Sequence, residues 1–215
     1  VGMKASVTAQ TYRQAAEQNR QAVDNDPEDW LLRWKYGQFL ARYARDYRGA
    51  AKQFRWVREH LPHSWLAHHS LATMMAALGN PDEAIELYER ALRLKPTSGR
   101  THYFLGEQWH NQGKLDKAKE HYAQAMRWEP DCMPAYNGLA KILAGEGKLD
   151  EATAICERGL GFVPDSAVLH CSLGTLLARQ GQRSEAIAEF ETALRIDPNS
   201  APARDSLRLL QNGPR

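Results

Sequence analysis

No stretch of this 215-residue chain approaches the roughly 18 consecutive apolar residues of a membrane-spanning helix, so no span is expected. No basic segment leads into a short apolar run near the start, and no export signal is read. The opening Val1-Gly2-Met3 fits either a start at Met3 or a piece of a longer chain. Cysteine is scarce. Cys132, Cys156 and Cys171 form no CxxC and leave one thiol unpaired under any pairing, which argues against a disulfide framework and for a reducing, cytoplasmic setting. Charge of one sign is also missing: 28 Lys and Arg stand against 26 Asp and Glu, and a net charge of +2 is too small to imply nucleic acid by itself. No segment alternates with the period of a strand. Neither a phosphate-cradling glycine loop nor a Ser/His/Asp order is present, so no catalysis and no cofactor are expected.

What the chain does have is a period. Proline stands at Pro62, Pro96, Pro130, Pro164 and Pro198, 34 residues apart each time. Glycine keeps the beat at Gly79, Gly113, Gly147 and Gly181, and alanine at Ala84, Ala118, Ala152 and Ala186. Self-similarity at this spacing marks stacked units, each unable to bury its apolar face alone.

One unit runs from Trp65 to Ser98. Leu71, Met75 and Leu78 are spaced as on a helix that Gly79-Asn80 closes, because glycine tolerates the left-handed conformation that ends a helix. Pro81-Asp82-Glu83 opens a second helix, with proline suited to a first turn and acids to the positive end. Ala84, Ile85, Tyr88, Ala91, Leu92 and Leu94 form its buried stripe. Asp82, Asp116, Asp150 and Ser184 sit at the start of each second helix and are read as its N-caps. Leu71, Leu105, Leu139 and Leu173 share one phase, followed by Ala72, Gly106, Ala140 and Gly174. Tyr88, Tyr122, Cys156 and Phe190 share another, and Ala91, Ala125, Gly159 and Ala193 a third.

This arrangement closely resembles the tetratricopeptide repeat (TPR) family. The resemblance implies an all-α fold, an α-solenoid of stacked antiparallel helix–turn–helix repeats wound as a right-handed superhelix. Repeats are assigned to 65–98, 99–132, 133–166 and 167–200. Residues 30–64 form a looser one, a residue longer and without the turn glycine, and residues 9–29 a half-repeat or N-terminal cap. Residues 201–212 read as the polar-backed capping helix that a solenoid needs. The whole of 1–215 is taken as a single solenoid.

Several residues suggest chemistry and admit a plainer reading. His68, His102 and His170 fall at one repeat position, with Tyr136 filling the fourth. Copies on stacked helices lie about 10 Å apart, too far to share an ion, and the resemblance makes this a slot for a packing ring. His60 and His63 form an HxxH that Pro62 interrupts, so no metal site is assigned. Cys156 and Cys171 read as buried hydrophobes, and Cys132, in a turn, as the most reactive thiol. Residues 29–60 hold eight basic residues against three acidic ones, interleaved with aromatics. Such a segment could grip single-stranded nucleic acid, but a solvated basic face over aromatic packing is preferred. Arg48, Lys52 and Arg55 make one stripe of its second helix, which suits an acidic protein better than a base-reading site.

In the TPR family the first helices line a concave groove, and the resemblance assigns inward positions here. They are Trp34, Gln38 and Arg42, then His69 and Thr73. Arg100, Tyr103, Glu107 and His110 follow, then Asn137 and Lys141, and last Cys171 and Thr175. These residues mix aromatic area, amides and both charge signs, as recognition of an extended peptide requires. Lys141 and Arg100 favour an acidic or C-terminal ligand. The residue pattern of the carboxylate-clamp subfamily is not met: Asn137 and Lys141 are reversed, and Val168 and Ser172 stand where bases belong. Nor is that of the asparagine-ladder subfamily, whose positions read Lys35, Ser70, Phe104, Gly138 and Ser172. The leading expectation is a non-enzymatic scaffold holding a peptide segment of a partner. Self-assembly into a homo-oligomer through the terminal repeats and RNA binding through the basic first repeat stand as alternatives.

Overall fold

A computed structural model describes residues 2–212, which are 81% helical and contain no strand. The chain falls into two compact units, divided between Thr97 and Ser98. The first contains α1 (Gly2–Asn25), α2 (Trp30–Phe39), a π-helical turn (Leu40–Ala44), α3 (Tyr47–His60), α4 (Trp65–Ala77) and α5 (Pro81–Leu94). The second contains α6 (Gly99–Asn111), α7 (Leu115–Trp128), α8 (Met133–Gly145), α9 (Leu149–Phe162), α10 (Ala167–Arg179), α11 (Arg183–Ile196) and α12 (Ala201–Asn212). Each even-numbered helix from α2 to α10 packs on its odd-numbered successor, and within the second unit α6 and α8, and α8 and α10, also touch. The fold is an all-α solenoid.

Local chemistry sets the helix boundaries. First helices are capped by side-chain oxygens that accept from otherwise unpaired N–H groups. Asp29 accepts from Leu31 N at 2.7 Å, and Ser64, Ser98 and Ser166 from Ala67, Thr101 and Leu169. Cys132 occupies the same place before α8 and offers no such bond. The second helices correct one expectation. From α5 onward their N-caps are Asn80, Lys114, Lys148 and Gln182, with no side-chain cap bond, while Asp82, Asp116, Asp150 and Ser184 lie inside the first turn; α3 is instead capped by Asp46, which accepts from Gly49 N. The glycine turn is so short that the next helix opens immediately after it. The acids therefore act on the helix dipole rather than as caps.

Those turns need a left-handed residue, which Gly79 supplies at φ +79° and its three repeats at similar values. The repeat at 30–64 solves the same problem differently. Its extra residue is absorbed by the π-helical turn, and Arg45 itself takes the left-handed conformation at φ 52°.

The core is built from the recurring positions. Ala84, Ala118, Ala152 and Ala186 are fully buried, as are Tyr88, Tyr122 and Cys156, with Phe54 and Phe190 nearly so. Tyr122 is clasped between Gly106 and Gly138, where an added Cβ would lie 2.9 and 2.7 Å from its ring. The histidine position does more than pack. His68 and His170 bring Nε2 within 3.0 and 2.9 Å of the Pro62 and Pro164 carbonyls six residues earlier. Arg33 and Arg204, in the same phase at the two ends, donate to Pro27 and Pro198. A side chain at this position therefore fastens the turn between repeats, and Tyr136 fills it by burial alone.

Candidate peptide-binding face

The first unit ties down much of its expected groove. Trp34 is half-buried and its indole donates to Ser70 Oγ at 3.4 Å. Gln38 and Arg42 are exposed, with the Arg42 guanidinium 5.6 Å from the Tyr43 ring centre. His69 departs from expectation: only 6% exposed, it lies between the rings of Trp65 and Tyr88. Helix α4 is apolar nearly all round, so its histidine is drawn into the aromatic packing. Thr73 donates to His69 O and accepts from Tyr88 Oη at 3.1 Å.

The basic segment is also largely committed to packing. Phe54 is buried, and Trp56 is stacked on His60 and covered by the Arg33 guanidinium 4.2 Å from its ring. His60 thereby holds Nδ1 against Trp56 O at 2.9 Å. Arg48, Lys52 and Arg55 remain exposed, Arg55 reaching Glu83 at 4.0 Å.

In the second unit the expected residues form two groups. On α6, Glu107 accepts a hydrogen bond from Tyr122 Oη, and His110 Nδ1 lies 3.3 Å from the same hydroxyl. Tyr103 stacks on Tyr122 with ring centres 6.2 Å apart. Burial, and secondly the Glu107 charge, push its hydroxyl up to about 12; Tyr122 is raised too, chiefly by burial. Both phenols are therefore neutral donors at physiological pH. Arg100 is exposed, and its backbone N–H donates to Glu129 at 2.9 Å.

The second group spans α8 and α10. Asn137 Oδ1 accepts from Ser172 Oγ at 2.7 Å, joining the two helices. Beyond that bond lies a cleft of about 330 Å³ lined by Lys141, Ser172, Thr175 and Arg179 among others. Lys141 and Thr175 are exposed, Cys171 is half-buried, and Thr175 turns its hydroxyl back to Cys171 O. Ser172 and Arg179 are not among the inward positions that the resemblance assigns, although Ser172 stands at a position of both subfamily patterns. Ser172 lies one residue from an assigned position, but Arg179 is the last residue of α10, and nothing in the repeat pattern marks it. Arg179 Nη2 donates to Ala144 O at 2.9 Å, which holds the guanidinium at the cleft.

Away from this face, α7 and α11 carry titratable pairs. His102 Nδ1 and His121 Nδ1 are 3.1 Å apart, and burial, then the neighbouring His102, push His121 down to about 4. His170 Nδ1 lies 2.6 Å from Glu189. Burial raises all three thiols, Cys156 to about 12. Among the described residues no three His, Cys, Asp or Glu side chains gather as for a metal ion, and no helix is long and apolar enough to cross a membrane.

Sequence profiles described as Tetratricopeptide repeat match residues 40–99, 75–142, 110–176 and 167–200. No curated protein sequence matches the chain. Among solved structures, it is similar to YrrB, described as a TPR protein with an unusual peptide-binding site (21% identity, 90% of this chain and 100% of that one, TM-score 0.63). MamA is similar over 74% of this chain and 94% of its own (24% identity, TM-score 0.64). The APC/C hetero-tetramer Cut9-Hcn1 has a chain matching 94% of this one with 40% of its own length (17% identity, TM-score 0.76). At these identities the likeness shows the fold alone. The sequence profiles, spanning residues 40–200, carry the assignment, and the chain belongs to the tetratricopeptide repeat family, whose members generally serve as non-enzymatic scaffolds for protein–protein interaction.

Proposed function

We propose that the chain holds an extended segment of a partner protein along the first-helix face of its second unit, across α6, α8 and α10. The observation that carries this reading is the cleft between α8 and α10. Adjacent first helices there touch, yet leave about 330 Å³ open and lined by side chains that can bond a peptide. Tyr103 adds aromatic area with a polar tip on the neighbouring helix, a residue type often dominant at interfaces. The peptide-binding site described for YrrB, a protein of the same fold, is in keeping with it.

The test is selection of peptides from a random dodecamer phage library on the intact chain, followed by anisotropy titration. Tyr103→Ala is expected to weaken the selected peptides about tenfold or more, equivalent to roughly 1.4 kcal/mol. Arg48→Glu with Lys52→Glu, on α3, should leave them unchanged. Peptides indifferent to Tyr103 and lost with the α3 charges would refute the proposal.

A further inference from the structure

The cleft between α8 and α10 has a neighbour. A second hollow of about 270 Å³ shares Thr175 and Arg179 with it and continues to Phe190, Leu209 and Leu210. The two differ in character. Lys141 and Arg179 bring two cations to the first, with Ser172 and Thr175 as hydroxyls and no acidic side chain in its lining. Neither cation makes an ion pair among the described residues, and the bond from Arg179 to Ala144 O engages only one of its nitrogens. The second hollow is apolar on its far side, where Leu209 is 74% exposed. A leucine this exposed on the outer face of the last described helix has no packing role of its own.

We infer that this pair of hollows recognises a two-part motif in the partner segment: an Asp or Glu side chain seated between Lys141 and Arg179, and a large apolar side chain placed against Leu209 and Leu210. The inference rests on the peptide-binding reading above and names its ligand. Charge complementarity fixes the first half. An arginine pre-positioned by a backbone bond presents its remaining N–H groups as a fork suited to a carboxylate, and Lys141 adds a second charge. The carboxylate belongs to a side chain rather than to a chain terminus, because surfaces for contact continue on both sides of it. Asn137 and Tyr103 lie toward α6, and the apolar hollow lies toward α12. The second half follows from area: covering Leu209 removes apolar surface from water at a site that the free chain leaves open.

The test uses the intact chain and the same dodecamer library. The selected peptides are expected to share an acidic residue and, within a few positions of it, a Leu, Ile, Phe or Met. Replacing the acid by its amide should weaken binding tenfold or more. Lys141→Glu should do the same without lowering Tm, since Lys141 is exposed and unpaired, and changing the peptide's acid to Lys should restore affinity for that variant. Leu209→Asp should weaken peptides that carry the apolar residue and leave those with Ala in its place unaffected. Selected peptides that depend on Tyr103 but lack the acid, or that ignore both Lys141→Glu and Leu209→Asp, would overturn the motif and leave the peptide-binding reading standing. Peptides that do not respond to Tyr103, Lys141 or Leu209 would overturn both.

Discussion

His121→Leu should flatten the acid side of the stability profile. His121 is half-buried on α7, with His102 facing it from α6 and Lys117 and Glu120 as charged neighbours on its own helix. Burial is the main reason that its pKa falls from 6.5 to about 4 in the folded chain. The sign follows from proton linkage. Between those two values the unfolded chain binds a proton that the folded one does not, so folding loses stability as the pH falls from 6.5 toward 4 and no more below that. The full shift would correspond to about 3 kcal/mol, and solvent access to a half-buried ring reduces this to about 1–2 kcal/mol. Leucine is the natural replacement, because Leu87 occupies the same place one repeat earlier. The assay is paired thermal melts of wild type and variant at half-unit steps from pH 7.5 to 4.5. Groups remote from the His102–His121 pair cancel in the difference. At neutral pH the variant lacks the bond to His102 and should be less stable by about 1 kcal/mol. That deficit should shrink steadily below pH 6.5 and vanish or reverse by pH 4.5. A difference that stays constant across the range would show that His121 is not held neutral by its surroundings.

Other substitutions probe separate parts of the fold. Ala118→Leu or Ala152→Leu, both at fully buried positions, should overpack the helix contacts by about 1–3 kcal/mol and lower Tm by several degrees. Ser98→Ala removes the oxygen that accepts from Thr101 N and pairs with Thr101 Oγ1 at 2.8 Å; about 1 kcal/mol should be lost on thermal unfolding. Tyr122→Phe deletes the donor to Glu107 and should destabilise by about 1 kcal/mol, read in the same melts. With a colorimetric thiol reagent at pH 8, Cys156 should stay unreactive until the chain is denatured, while Cys132 and Cys171 react slowly before it.

The fold was legible because its determinants recur. Five prolines and four glycines at one spacing place every turn from Gly79 onward, and the helices begin and end two or three residues from those marks. The sequence is ambiguous where one residue type can serve two purposes. An acid near a helix start can cap the backbone or complement the dipole, and only the turn's tightness, three-dimensional information, places Asp82 and Asp116 in the first turn. The extra residue in 30–64 was visible as a count, but its outcome depended on whether the chain would bulge into the turn or into the helix. It bulged into the helix, and Arg45 took the left-handed position. The histidine slot reads as packing in the sequence because a repeat position says what size fits. It does not say that a proline carbonyl six residues back lies within reach.

The candidate face was legible as a register and illegible as an environment. The family resemblance points to first-helix positions such as Thr73, Glu107, Lys141 and Thr175, which share one phase, but not to which of them are held. That depends on the second helix. Tyr88 and Tyr122 carry hydroxyls that cross to Thr73 and Glu107 and fix them. The matching residues in the next two repeats are Cys156 and Phe190, which bury equally well and have no hydroxyl to offer. Lys141 and Thr175 therefore receive no bond from their second helices, and it is beside these two that the cleft opens. Where this core position carries Cys or Phe in place of Tyr, the polar side chain of the facing first helix receives no hydroxyl and is left free to meet a ligand. A core change of this kind leaves the solenoid intact and alters what its surface can hold.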